Sequence, residues 1–302
     1  MLKHRLPTST PADRVVIIGA GGFVGKAVAD NLRARGTQIV GVAHRDIDLL
    51  ATDAATQLAS MLRKSDTLVM IAAQAPVKNN AMLVDNLRMM AAVCTALDSV
   101  RVEHVIYVSS DAVYADADTP LTEASCAQPA SLHGVMHLAR ETMLADACKM
   151  PLCILRPTLI YGASDPHNGY GPNRFRRLAQ RGEEIVLFGA GEERRDHVYI
   201  DDVAEIVARC AVHQSEGVLN IATGSVTAFR EIAEKIAAMA PRKPAIRTTQ
   251  RTGPMPHRGY RAFDAASTAR AFPDFHYTPL ERGLALSRQQ EFMMGEREGG
   301  LS

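Results

Sequence analysis

Val15-Val16-Ile17-Ile18-Gly19-Ala20-Gly21-Gly22-Phe23-Val24-Gly25 sets a short apolar run directly against a glycine-rich turn, and an apolar-periodic segment, 24–35, follows. An unbroken β-branched run of this length fits a strand covered on both faces. Gly19 allows a tight strand-to-helix turn, Gly22 lets a backbone approach a diphosphate, and Gly25 lets the helix pack close to the strand. Phe23 and Val24 then open a helix whose free N–H groups face phosphate. The glycine spacing alone is a weak signal. A strand before it, an amphipathic helix after it and a second strand at 38–43 make it a dinucleotide-binding loop.

The same alternation continues outward. Residues 67–72, 104–109 and 152–156 are further apolar runs, separated by helical patterns at 56–63, 82–98 and 132–149. Strands alternating with helices predict βαβ units and a parallel sheet. After Arg156 the pattern changes to a loop at 161–173, a basic helix at 174–181, a short strand at 184–188 and a Gly-Ala-Gly turn. A helix at 201–214, a strand at 218–222, a helix at 229–239 and a proline-rich loop at 242–256 follow. The expected fold is α/β: a Rossmann-type doubly wound parallel sheet over 15–160, with a smaller discontinuous C-terminal substrate-binding lobe over 161–302. The run 218–222 is expected to return to the sheet, and 1–14, polar and holding Pro7 and Pro11, reads as a loose arm.

Composition narrows the function classes. A chain of 302 residues, 47% hydrophobic, can bury a large core. A net charge of +1 supplies no long-range field toward nucleic acid or a membrane surface, so neither is an expected partner. No apolar run is long enough for a membrane span or a signal-peptide core. Five scattered cysteines without a Cys-x-x-Cys pair show neither a zinc knuckle nor a disulfide framework, and the expectation is a reduced, cytoplasmic protein. About twenty residues past the glycines an NAD site places an acid on the ribose; His44 and Arg45 stand there instead. A cation attracts a 2′-phosphate, so NADP is favoured over NAD.

Further stretches extend the pattern: Arg45-Asp46-Ile47-Asp48-Leu49, Ile71-Ala72-Ala73, Asn86-Leu87, Tyr107-Val108-Ser109-Ser110-Asp111-Ala112-Val113-Tyr114, Leu155-Arg156-Pro157-Thr158-Leu159-Ile160-Tyr161-Gly162, Arg194-Arg195-Asp196-His197-Val198-Tyr199-Ile200-Asp201-Asp202-Val203 and Leu219-Asn220-Ile221-Ala222-Thr223-Gly224. Together they resemble the extended short-chain dehydrogenase/reductase family, the nucleotide-sugar epimerases and dehydratases, from Val15 to about Phe292. The resemblance implies Asp48 at the adenine, Ala72 and Ala73 beside the cofactor, and Pro157 where the backbone passes the nicotinamide. It implies Ser110 as the catalytic hydroxyl, Gln74 and Asp111 on the substrate side, and Arg195 as a diphosphate clamp. Arg258, or Arg261, falls near the place of a second such arginine. Ala112 stands where the dehydratase branch carries Glu, which argues against 4,6-dehydration. The helices at 82–98 and 132–149 are those that pair across dimers in the resembling family, so a homodimer is expected.

One departure concerns the chemistry itself. Ser131-Leu132-His133-Gly134-Val135-Met136-His137-Leu138-Ala139-Arg140-Glu141 frames the family's catalytic helix, but His133 and His137 occupy its tyrosine and lysine positions. A phenol titrates near 10 and needs a nearby cation to act at neutral pH, whereas an imidazole starts near 6.5 and needs much less help. His133 is therefore the expected acid/base, and His137 the group that orients the cofactor ribose. Spacing of four puts His133, His137 and Glu141 on one helix face, where Glu141 is expected to keep His137 partly cationic. A metal at the pair would want Glu where Gly134 stands, so none is expected. Three functions fit: an NAD(P)-dependent epimerase or reductase on a nucleoside-diphosphate sugar, a non-redox isomerase or lyase on the same substrate class, and a non-catalytic NAD(P)-binding sensor or scaffold.

Overall fold

The computed structural model describes residues 2–8 and 12–299. Its first half runs β1 (Lys3–His4), β2 (Arg14–Ile18), α1 (Phe23–Ala34), β3 (Gln38–Val42), α2 (Ala54–Met61), β4 (Asp66–Met70), α3 (Asn80–Ser99), β5 (His104–Val108), α4 (Leu132–Ala147) and β6 (Leu152–Pro157). The second half runs β7 (Leu159–Tyr161), α5 (Pro172–Gln180), β8 (Ile185–Phe188), β9 (Arg194–Tyr199), α6 (Ile200–Val212), β10 (Ser215–Ile221), β11 (Val226–Ala228), α7 (Phe229–Met239), β12 (Ile246–Thr249), β13 (Tyr260–Arg261), α8 (Ala266–Ala271) and α9 (Leu280–Gly299).

The main sheet has the order β1-β10-β6-β5-β4-β2-β3. Every pairing in it is parallel except that of β1 with β10. Strands β2, β4 and β5 are buried along their whole length because helices cover both faces. On one face α1 and α6 bury Val28, Leu32, Val203 and Val207 against Val15 and Ile17. On the other, α2, α3 and α4 bury Leu58, Val93 and Leu144 against Val16 and Leu68. Each such side chain stabilises the fold by about 1.5–3 kcal/mol relative to exposure. The glycine turn takes its shape from this packing. At Gly19, with φ of 95°, an added Cβ would sit 2.7 Å from the Ala72 nitrogen, and at Gly25 it would sit 2.1 Å from the Gly19 carbonyl oxygen.

The second lobe gathers α5, α7 and α9 around Phe175, Phe229, Ile232 and Leu284. Beside them, β11, β9 and β13 form a small sheet that β7 joins through β9. The lobe is discontinuous as expected, since β10 returns to the main sheet and pairs β6 from Gly217 to Ile221.

Three expectations are corrected. The described part of the amino-terminal arm is docked: Lys3 and His4 pair with Glu216 and Ser215, His4 Nδ1 lies 2.8 Å from Ser215 Oγ, and Arg14 forms a buried ion pair with Asp66 at 2.7 Å. Met1 and residues 9–11 lie outside the described residues. The stretch 242–256 is not all loop, because Ile246–Thr249 pairs in parallel with β8. Finally, α6 packs into the first core rather than the second lobe. Its apolar face, Val203, Ile206, Val207 and Cys210, fills the slot between the sheet and α1, while Asp201 is exposed and Glu205 and Arg209 are half-buried.

Candidate active site

A cavity of about 490 Å³ opens at the carboxyl ends of the parallel strands, between the main sheet and the second lobe. That is where ligands bind in doubly wound sheets. Gly22, Phe23, Val24 and Gly25 form one wall, Ala73 and Pro157 the floor, Ser110 and Asp111 the end of β5. His133 and His137 enter from α4, and Arg195 from β9.

The glycine wall fits a diphosphate. A Cβ on Gly22 would come no closer than 3.4 Å to Gly19 O, so internal packing does not demand a glycine there. What its bare backbone leaves open is the cavity. Gly22 also caps α1 without any side-chain hydrogen bond, which leaves the first-turn N–H groups for an anion.

Ser110 caps the short turn Asp111–Val113, and its Oγ accepts from Ala112 N at 3.1 Å. The hydroxyl proton is thereby free to point elsewhere. Asp111 is already committed: Arg261 Nε donates to its Oδ2 at 2.9 Å. α4 comes close to this turn because residue 134 is glycine; a Cβ there would stand 2.1 Å from Ala112 O.

The two histidine rings meet edge to face, their centroids 4.7 Å apart. Burial, the largest influence, lowers the pKa of both; Asp111 partly offsets this at His133, while His133 and Arg140 push His137 further down. Both are therefore neutral at neutral pH. His133 Nδ1 is buried with no hydrogen-bond partner. His137 Nδ1 lies 2.8 Å from the Tyr107 hydroxyl. Burial raises the Tyr107 pKa, so the phenol keeps its proton. Arg140, whose guanidinium carbon lies 5.6 Å from the Tyr107 ring centre, can only donate. We take the protonated phenol to donate to His137 Nδ1, since His137 is the one group at hydrogen-bond distance able to accept from it among the described residues, and this assignment puts the imidazole hydrogen on Nε2.

The expected role of Glu141 is corrected by this geometry. Its carboxylate accepts from Arg156 at 2.5 and 2.9 Å and from Ser109 Oγ at 2.5 Å. Beta-strand 6 supplies that arginine, and the buried pair leaves no charge for His137. The residue in the lysine position is a neutral donor, not an imidazolium.

Other expected residues fall outside the cavity. Gly19 and Ala72 stand behind its wall, where the Ala72 carbonyl accepts from Arg140 at 2.9 Å. Gln74 is clasped through its backbone by Asn86 at 3.0 Å in both directions. His44, Arg45 and Asp48 follow β3 at the surface, with His44 3.7 Å from Asp48 and Arg45 3.8 Å from Asp46. Arg258 is corrected: its side chain is 73% exposed and pairs with Asp118. Left-handed backbone at His257 and Arg258, φ 50° and 52°, turns His257 to the cavity and leaves Arg258 outside. Arg261, the alternative, holds Asp111 and Asp116 from below with a side chain 2% exposed.

Sequence reasoning missed His167, His197, Tyr170 and Asn173, which also line the cavity. His197 had a visible signal, a histidine two residues after Arg195 at the head of the apolar run Val198-Tyr199-Ile200. The loop residues had none, because only the tertiary fold brings 161–173 over the site.

The chain matches the family described as NAD dependent epimerase/dehydratase over residues 15–222. It is 27% identical over 261 residues to UDP-glucose 4-epimerase of Mycolicibacterium smegmatis, covering 74% of this chain and 82% of that one. Among solved structures, MoeE5 in complex with UDP-glucose and NAD matches with a TM-score of 0.80 at 24% identity, over 93% of this chain and 99% of that one. A GDP-L-fucose synthetase from Naegleria fowleri bound to NADP matches with a TM-score of 0.79 at 20% identity, over 98% and 97%. At those identities the structures speak for the Rossmann-type fold, while the matched span of 15–222 carries the descent: the chain belongs to the NAD dependent epimerase/dehydratase family.

Proposed function

We propose that the protein is an NAD(P)-dependent epimerase or reductase of a nucleoside-diphosphate sugar, with His133 as the proton-transferring group. The observation that carries this reading is the convergence of the neutral His133–His137 pair, Ser110, Arg195 and the open glycine wall on one cavity. A non-catalytic cofactor sensor has no use for that polar sugar-side wall.

The glycine wall and the α1 N-terminus would hold the cofactor diphosphate, and His137 Nε2–H would donate to a ribose hydroxyl. A bound nicotinamide supplies the hydride acceptor and donor. The Ser110 hydroxyl would donate to the reacting sugar oxygen. His133, neutral at its depressed pKa, would take the proton of a sugar hydroxyl in one direction and return it in the other. Arg195, held by Glu193 at 2.8 Å through Nε, would keep its remaining N–H groups for the substrate diphosphate. Arg45 supports NADP over NAD, since Asp46 turns its carboxylate back onto Ala43 N at 2.8 Å rather than toward a ribose.

The test is turnover of UDP-, dTDP- and GDP-hexoses, and of their 4-keto forms, with NAD or NADP in each redox state. Epimer formation without net cofactor change identifies an epimerase; stoichiometric NADPH oxidation identifies a reductase. Tight dinucleotide binding with no sugar-nucleotide affinity and no turnover would overturn the reading in favour of a sensor.

A further inference from the structure

His197 sits on β9, two residues after Arg195, and lines the cavity from the second lobe. It is 6% exposed, yet neither ring nitrogen makes a well-formed hydrogen bond, the Arg195 backbone being only a weak neighbour. The Phe229 ring stacks edge-on with centroids 5.6 Å apart, and Gly171, with no side chain, faces Nε2. Burial, with Arg195 adding to it, lowers the pKa to about 3, so the ring stays neutral. A buried polar group without a partner is a standing cost in the unliganded protein. Phenylalanine would fill the same space without that cost.

A neutral imidazole offers one donor and one acceptor. A phosphate or carboxylate supplies acceptors only and would satisfy one nitrogen. A hydroxyl can donate or accept, and so pairs with whichever nitrogen faces it. Arg195 already provides the charge suited to a diphosphate, so the uncharged neighbour is matched to what is attached to it. We infer that His197 is a specificity-determining residue that recognises hydroxyl groups on the sugar of the nucleotide-sugar substrate. This rests on the nucleotide-sugar reading above and adds the residue that would read the sugar.

The experiment compares wild type and His197→Phe, with NADP present, for binding of each nucleoside diphosphate (UDP, dTDP, GDP) and the corresponding hexose conjugate. In wild type the hexose raises affinity over the bare diphosphate. In His197→Phe that gain falls about tenfold, as when a site built to bond a hydroxyl loses its partner. Affinity for the bare diphosphates and for NADP stays within about twofold. His197→Gln, which keeps a donor and an acceptor, recovers part of the gain, and His197→Leu repeats the comparison should the larger ring fail to fit. An undiminished hexose gain in the Phe and Leu variants would overturn the inference and make His197 a packing residue. Equal loss for diphosphate and conjugate would also overturn it. Wild type that binds neither diphosphate nor conjugate would sink the nucleotide-sugar reading itself, a result distinct from the other two.

Discussion

His137 shows how one hydrogen bond decides what a substituted residue can do. Lysine in its place would bring a charge; the imidazole brings a directed N–H, because Tyr107 occupies the other nitrogen at 2.8 Å. Tyr107→Phe removes that constraint and lets both tautomers form. Nitrogen NMR of the histidines is expected to show His137 protonated on Nε2 in wild type and a mixture in the variant; an Nδ1–H tautomer in wild type would contradict the direction assigned to the bond. The His-x-x-x-His frame was legible in the sequence, since its neighbours match the catalytic helix. Tyr107 and Arg140 were not. They are separated from His137 by 30 and 3 residues, and only the packing of α4 on β5 brings the Tyr107 hydroxyl to His137 and its ring to Arg140. Glu141 was misread for the same reason: helical spacing placed it beside His137, but Arg156 from β6 claimed it.

At the scale of the element, α4 carries the site and two constraints set its position. One is the absence of a side chain at residue 134, where a Cβ would stand 2.1 Å from Ala112 O. Gly134→Ala must push the helix from the turn that holds Ser110 and Asp111. Overpacking of this kind costs about 1–3 kcal/mol, so thermal denaturation should show a lower midpoint, together with a fall in turnover larger than the loss of folded protein explains. The other is the buried Glu141–Arg156 pair, which fastens the helix to β6. Outward, α4 packs beside α3 and exposes Val135, while α3 exposes Val84, at 39% and 53%. We propose this face as the homodimer contact. Val135→Glu is expected to shift a dimer toward monomer in light scattering, and a wild-type chain that is monomeric at micromolar concentration would refute the assignment. Parallel strands and their helices were read to within a few residues because their apolar runs are continuous. Ile246–Thr249 escaped because an exposed edge strand carries polar side chains, and Lys3–His4 because so short a strand leaves no periodicity.

For the molecule as a whole, buried histidines couple folding to pH. Burial lowers the pKa of His104 to about 4 and that of His197 to about 3, and it depresses His133 and His137 as well. Their unfolded values lie near 6.5, so below that pH the unfolded chain takes up protons that the folded one refuses. Stability is complete above about pH 6.5 and declines as pH falls toward the folded values. The melting midpoint should drop steadily from pH 7 to 5.5 and stay level from pH 7 to 8.5, and His197→Phe should flatten the acidic slope. A midpoint independent of pH across 5.5–7 would mean that these rings are not held neutral by the fold. Among the described residues no helix is long and apolar enough to cross a membrane. The two-lobed architecture was legible from the change of pattern after Arg156. Its cavity was only half legible, because the main-sheet wall follows the family frame while the opposite wall, with His167, His197 and His257, is assembled from loop and strand segments far apart in sequence. His133 is the centre of the proposed chemistry, and kcat/KM measured from pH 5 to 8 for wild type and His133→Asn tests its role most directly. In the alcohol-oxidising direction wild type should lose activity below a pKa under 6.5, as the imidazole takes up a proton. The variant should be about 10²–10⁴-fold slower and lack that acidic limb. A variant that keeps both the wild-type rate and the limb would contradict the claim that His133 moves the proton.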